Sequence, residues 1–302
     1  MSVQIVRNVG PAGIDVAYER FGEAGAPPVL LIMGVGTQML GWPDAFCEVL
    51  AARGVHVIRF DNRDIGLSSH LTDARAPDLG AAFRGDTSSA SYTLSDMAAD
   101  TVGLLDGLDL DSAHVVGASM GGMIAQTLAI EHPTRARSLT SIMSTTGNPA
   151  VGQPTQAALA ALLSPPAAGR EQAIERTVKI VRVIGSPGFE IDEAELRFRT
   201  GLAYDRAYDP LGVARQLLAI AASGDRTTAL RSVATPTLVI HGVEDPLVNV
   251  SGGQATAEAI PGAELVLFDG MGHDLPRTLW GEFTRLIAEL VKRAEGRALT
   301  RP

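Results

Sequence analysis

Cysteine is almost absent from this chain: Cys47 is the one thiol among 302 residues. A single cysteine closes no internal disulfide and builds no thiolate zinc site. Basic residues are also in deficit. Lys and Arg number 25 against 34 Asp and Glu, so the net charge is −9. Nucleic acid and anionic membrane surfaces reward a basic face, so neither is expected as a partner. No apolar run reaches the about 18 residues that a membrane span needs. Residues 1–8 carry no basic stretch leading into a long apolar one, so no signal peptide is expected. The sequence lacks H-E-x-x-H, an EF-hand loop and G-x-x-x-x-G-K-[ST]. A dinucleotide fingerprint starts at Gly34 and Gly36 but fails at Met39, where glycine is required. No cofactor and no metal is therefore expected. A composition that is 46% hydrophobic and 20% charged excludes disorder. The expectation is a soluble, cytoplasmic, globular protein with one large domain or two small ones.

Short apolar, β-branched runs occupy residues 28–33 (PVLLIM), 55–60 (VHVIRF), 113–116 (AHVV), 236–240 (PTLVI) and 263–268 (AELVLF), with a weaker run at 138–143. They do not alternate, so they suit strands covered on both faces. Helical periodicity fills 95–110, with Ser95 as its cap, then 120–130, 254–260 and 279–294. Strands alternating with helices predict an α/β fold with a mostly parallel sheet. The alternation breaks between about 145 and 234, where 157–163, 170–184, 192–205 and 210–223 all read as helices. That stretch is a helical insertion. Residues 70–91 read as a surface loop, and the tail 294–302 as frayed.

The strongest chemical signal is Gly117-Ala118-Ser119-Met120-Gly121, set between a strand and a helix. In that context G-x-S-x-G is a sharp turn that lifts the serine clear of the sheet, with glycines where backbone segments would otherwise collide. The alternative is a plain Gly-rich turn. A serine hydroxyl needs a base, and the base needs an acid to orient it. The order for this motif is Ser, Asp/Glu, His. His273 lies in a Gly-rich loop after the last strand, and Asp245 lies just past the end of the strand before it. Ser119, Asp245 and His273 thus fall beyond the carboxyl ends of strands, on one rim. Glu244 is the alternative acid. His241 reads as a packed strand-end residue, His56, His114 and His132 as structural, and His70 as a minor alternative base. The oxyanion donors are expected to be the Met120 N–H and the Val35 N–H, the latter on the loop after the first apolar run. Asp61 and Arg63 read as braces of a tight polar loop. Met39, Trp42, Met143 and Met271 cluster near strand ends and could line an apolar pocket, with core packing as the alternative.

Five motifs in order, at residues 30–36 (LLIMGVG), 59–68 (RFDNRDIGLS), 114–122 (HVVGASMGG), 237–248 (TLVIHGVEDPLV) and 270–276 (GMGHDLP), make the chain resemble the α/β-hydrolase superfamily over nearly its full length. Residues 33–46 (MGVGTQMLGWPDAF) look closest to the branch of aclacinomycin methylesterase-like enzymes. The resemblance implies an eight-stranded, mostly parallel sheet. It implies a core domain from 1–145 and 233–302, with a helical cap over 146–232. It also implies hydrolysis of a carboxylic ester through an acyl-enzyme; the apolar residues near the site loops add the expectation of a small to medium apolar ester. Serine at 119 argues against the branches that carry aspartate there. A C–C bond hydrolase or perhydrolase would share the triad, and a ligand receptor of low turnover would share the fold. The expected partner is a small-molecule ester, and a homodimer is left open.

Overall fold

The first reversal of the chain is built on backbone that few side chains adopt. Asn8, Gly10 and Gly13 have φ of 56°, 61° and 61°, and the Gly13 N–H donates to Gly10 O at 3.1 Å. The turn joins β1 (Gln4–Val9) to β2 (Ile14–Phe21) as an antiparallel hairpin. Neither strand carries the continuous apolar run that marks the other six, because polar residues interrupt both; β1 is a largely exposed edge, whereas β2 is largely buried. The computed structural model describes residues 2–299.

After the hairpin, strands and helices alternate. β3 (Pro28–Ile32) leads to α1 (Asp44–Ala51), which no sequence pattern marked, and then to β4 (His56–Phe60). The segment expected as a loop holds a single turn of helix, α2 (Leu79–Ala82). Next come α3 (Leu94–Gly107), β5 (Ala113–Ala118), α4 (Met120–Glu131) and β6 (Ala136–Ile142). The cap of α3 is Thr93, not Ser95: Thr93 and Asp96 exchange the two bonds of a capping box. Five helices follow without a strand: α5 (Gln156–Leu162), α6 (Arg170–Ile184), α7 (Glu193–Arg206), α8 (Pro210–Ser223) and α9 (Thr227–Leu230). The sheet resumes with β7 (Thr237–Gly242), α10 (Ser251–Ala259), β8 (Glu264–Phe268) and α11 (Trp280–Leu299). The last helix therefore runs on through residues 294–299, which were expected to fray, and residues 300–302 lie outside the described part.

The eight strands form one sheet in the order β1-β2-β4-β3-β5-β6-β7-β8. The pairings from β4 to β8 are parallel, and β2 pairs antiparallel with both of its neighbours. Successive residues of a strand face opposite sides, so each strand feeds two cores. Leu30, Ile32 and Val115 pack with α3 and α4 on one face. Val29, Leu31, Val116 and Ile240 pack with α1 and α11 on the other. This double cover is why the central strands read as unbroken apolar runs. No helix among the described residues is long and apolar enough to cross a membrane.

Candidate active site

Ser119 sits between β5 and α4 with φ 56° and ψ −121°. A non-glycine residue in that region costs on the order of 1–3 kcal/mol and persists only where the surroundings impose it. Here they do. A Cβ on Gly117 would lie 2.0 Å from Gly121 O, and one on Gly121 would lie 2.1 Å from Ile32 O. The two glycines let strand, turn and helix approach closer than any side chain allows. The Ser119 N–H is tied to Ile142 O at 2.9 Å, and Ser144 Oγ donates to Ser119 O at 2.9 Å.

The loops after β7 and β8 bring Asp245 and His273 to this serine. Nδ1 of His273 is 2.7 Å from Asp245 Oδ2, and Nε2 is 3.0 Å from Ser119 Oγ. A proton on Nδ1 is donated to the carboxylate, which leaves Nε2 to accept the serine proton. Asp245 is buried, and burial alone would raise its pKa. The charge of His273 and the hydrogen bonds from His273 and the Val248 N–H overcome this and hold the carboxyl well below its ordinary value. Oδ1 accepts the N–H groups of Leu247 and Val248 at 2.9 and 2.8 Å. Glu244, the alternative acid, accepts the Gly270 N–H at 2.6 Å and so ties the histidine loop instead. His241 donates from Nε2 to Val248 O at 2.7 Å.

Met120 follows Ser119 directly, and Val35 follows Gly34 in the loop after β3. A Cβ on Gly34 would lie 3.5 Å from Ser119 Oγ, so the loop after β3 runs directly beside it. Among the described residues, neither the Val35 nor the Met120 N–H donates to a protein acceptor. Met120 opens α4, where the N–H groups have no partner within the helix and the helix dipole favours negative charge.

The apolar pocket candidates lie inside. Trp42 is fully buried and packs on Phe46 with ring centroids 5.3 Å apart, so it is a core residue under α1 and α11, not a pocket wall. Met143 and Met271 belong to the same apolar cluster. Met39 is fully buried, and its N–H donates to Asp61 Oδ1 at 2.7 Å. Asp61 and Arg63 are braces: Asp61 also accepts the Leu67 N–H at 3.0 Å, and Arg63 forms an ion pair with Asp100. Both ring nitrogens of His70 are engaged elsewhere, with Asp209 at 2.8 Å and Gly66 O at 3.0 Å. Asp64, His70 and Asp209 bring ligand atoms within 4.8 Å of one another. The Arg215 guanidinium already supplies their counter-charge, 2.7 Å from Asp64 and 3.3 Å from Asp209.

No sequence pattern pointed to Ser186 and Asp274. The Ser186 hydroxyl donates to the Asp274 carboxylate and accepts the Gly272 N–H at 2.9 Å. With the His273 N–H on Ile184 O at 2.7 Å, this pins the histidine loop to the end of α6. A separation of 86 residues between the partners leaves no local signal.

The fold is that of an α/β hydrolase. The alpha/beta hydrolase fold family matches residues 27–179, and the chain belongs to it. It is 33% identical to rhodomycin D methylesterase of Streptomyces peucetius over 279 residues, 85% of this chain and 88% of that one. It is 26% identical to 2-hydroxymuconate semialdehyde hydrolase of Pseudomonas sp. strain CF600, over 99% of this chain and 98% of that one. Among solved structures, a hydrolase from Pseudomonas aeruginosa superposes with a TM-score of 0.69 at 25% identity, covering 98% of both chains.

Proposed function

We propose that this chain hydrolyses carboxylic esters through an acyl-enzyme, with Ser119 as nucleophile, His273 as base and Asp245 as its orienting acid. The observation that carries the reading is the unbroken line from Asp245 Oδ2 through His273 to Ser119 Oγ, at 2.7 and 3.0 Å. Ser119 Oγ attacks the acyl carbon while its proton passes to Nε2 of His273. Asp245 stabilises the imidazolium that forms. The carbonyl oxygen becomes an oxyanion and accepts the Val35 and Met120 N–H groups, which are free to donate. Collapse expels the alcohol, which takes the proton from His273. Water then attacks the acyl-enzyme with His273 again as base, and the acid leaves with Ser119 restored.

The substrate is a small to medium apolar ester. Similarity to a methylesterase supports methanol as the leaving alcohol. Residues 146–232 act as a cap that shapes the acyl site, over a core domain of 1–145 and 233–302. Hydrolysis of a C–C bond on the same triad is the second reading, supported by the nearly full-length likeness to 2-hydroxymuconate semialdehyde hydrolase.

The test is a panel of p-nitrophenyl esters of rising acyl length and methyl esters of aromatic acids, run on wild type and Ser119→Ala together. Turnover in the wild type that vanishes in the variant is expected. Failure on every ester, with turnover of a ring-cleavage dienone, would move the assignment to C–C hydrolysis.

A further inference from the structure

The loop that carries the Val35 N–H is gripped from behind by α8. Gly36 has φ +67° and donates its N–H to Oε1 of Gln216 at 2.9 Å. A Cβ at Gly36 would lie 3.1 Å from Val213 on the same helix, and one at Gly34 would lie 3.1 Å from Ser119 Cβ. Residues 34–36 are thus a thin sheet of backbone pressed between the serine and α8. Gln216 is fully buried, and its Nε2 donates to Arg63 O at 2.8 Å. Arg63 is itself fixed by its ion pair with Asp100. One end of the side chain must accept and the other must donate. A primary amide does both, whereas an ionised carboxylate would set oxygen against the Arg63 carbonyl and a cation offers no acceptor for Gly36.

We infer that Gln216 is a positioning residue for the oxyanion donor, holding residues 34–36 so that the Val35 N–H stays aimed at the oxygen that gains charge. The inference rests on the serine-hydrolase reading above. It adds that the helical insertion, 180 residues away in sequence, completes the oxyanion site. Neighbouring bonds support it. Gln38 Nε2 donates to Ala203 O at 2.7 Å and to Ala207 O at 2.9 Å, so the far end of the same loop is tied to the end of α7.

The experiment compares wild type with Gln216→Met, which keeps length and removes both hydrogen bonds. Three quantities are read: kcat and KM on the best ester, inhibition by a trifluoromethyl ketone of the same acyl group, and inhibition by the matching neutral amide. The ketone adds Ser119 Oγ at its carbonyl carbon and leaves an oxyanion, whereas the amide does not. A misplaced donor should lower kcat and ketone affinity together, by about 10- to 100-fold, with KM and amide affinity within about threefold. A merely structural role would lower the folded fraction and leave the ratio of ketone to amide affinity unchanged. That result overturns the inference. Gln216→Asn is the second variant, for the case where the methionine protein does not fold. It keeps an amide in the buried site but is one methylene too short to hold both Gly36 and Arg63, so its ratio of ketone to amide affinity should also fall by more than about threefold. An unchanged ratio in a folded Asn protein overturns the positioning role. Labelling of Ser119 by a fluorophosphonate, read by mass, separates the two levels. A wild type that neither labels nor turns over ester overturns the serine-hydrolase reading and this role with it. An active wild type with an unchanged methionine variant overturns the positioning role alone.

Discussion

Asp245 Oδ2 lies between two imidazoles: it is 2.7 Å from Nδ1 of His273 and 3.5 Å from Nε2 of His241. The two histidines are nevertheless not equivalent. His273 has a second nitrogen 3.0 Å from Ser119 Oγ, whereas His241 spends its Nε2 proton on Val248 O and is fully buried. His273→Ala should therefore lower kcat by about 10⁶-fold with the fold intact. His241→Ala should keep the base in place and lose stability instead, by about 1–3 kcal/mol, because a buried carbonyl loses its donor. Steady-state kinetics and thermal melts on both variants check this, and the reverse pattern would reassign the base to His241.

Asp245→Asn keeps the shape of the side chain but favours the wrong tautomer of His273. A fall in kcat of about 10⁴-fold is expected, by the triad template. The same residue makes stability depend on pH. Its folded pKa is depressed, so it contributes stability above the ordinary carboxylate value of 3.8, and that stability is lost as pH falls below it toward the folded value. Wild type should lose melting temperature in that acid window more steeply than the Asn variant. Parallel acid profiles would mean that the carboxylate gains nothing on folding.

His114 supplies a second acid-sensitive group, far from the serine. It is fully buried in β5, with Ser138 Oγ 2.8 Å from Nδ1 and Glu295 3.0 Å from Nε2. Burial lowers its pKa from 6.5 to about 4, with the Glu295 charge opposing. The folded state thus binds this proton more weakly than the unfolded state. Stability is full above 6.5 and falls as pH drops from there to about 4. His114→Gln should flatten the melting curve across that interval while ester turnover at neutral pH is kept. An unchanged curve would show that another group carries the acid loss.

Gly121→Ala tests the backbone packing beneath the nucleophile. The added carbon would sit 2.1 Å from Ile32 O and 2.9 Å from Met33 O, both backbone atoms that cannot swing away. Overpacking against rigid backbone should cost at least about 3 kcal/mol. Chemical denaturation measures it, and a loss below about 1 kcal/mol would mean that β3 and α4 can separate.

Much of this was legible from spacing alone. Six of the eight strands carry apolar runs; five of these are buried on both faces, whereas β8 is an exposed edge despite its run, and Ser119, Asp245 and His273 follow three of the six. β1 and β2 escaped because Gln4, Arg7 and Asn8 in one and Asp15, Glu19 and Arg20 in the other break up the apolar residues and leave no run to find. Trp42 reads from the sequence as either pocket wall or core, because its place near a strand end says nothing about which way the ring turns. Its burial against Phe46 is decided by α1, a helix the pattern did not mark.

The order of strands and helices, the strained turn at Ser119 and the loops that bear Asp245 and His273 were determined by the sequence, because each is a local matter of periodicity, glycine and chain order. Which carboxylate meets His273, and which side chain braces the oxyanion loop, was decided only by the tertiary structure. Asp245 and Glu244 are adjacent in the chain, yet one points to His273 and the other to Gly270. Gln216 reaches Gly36 from 180 residues away. Such choices depend on how loops from separate crossovers pack against one another over the sheet, and no short-range pattern encodes that contact.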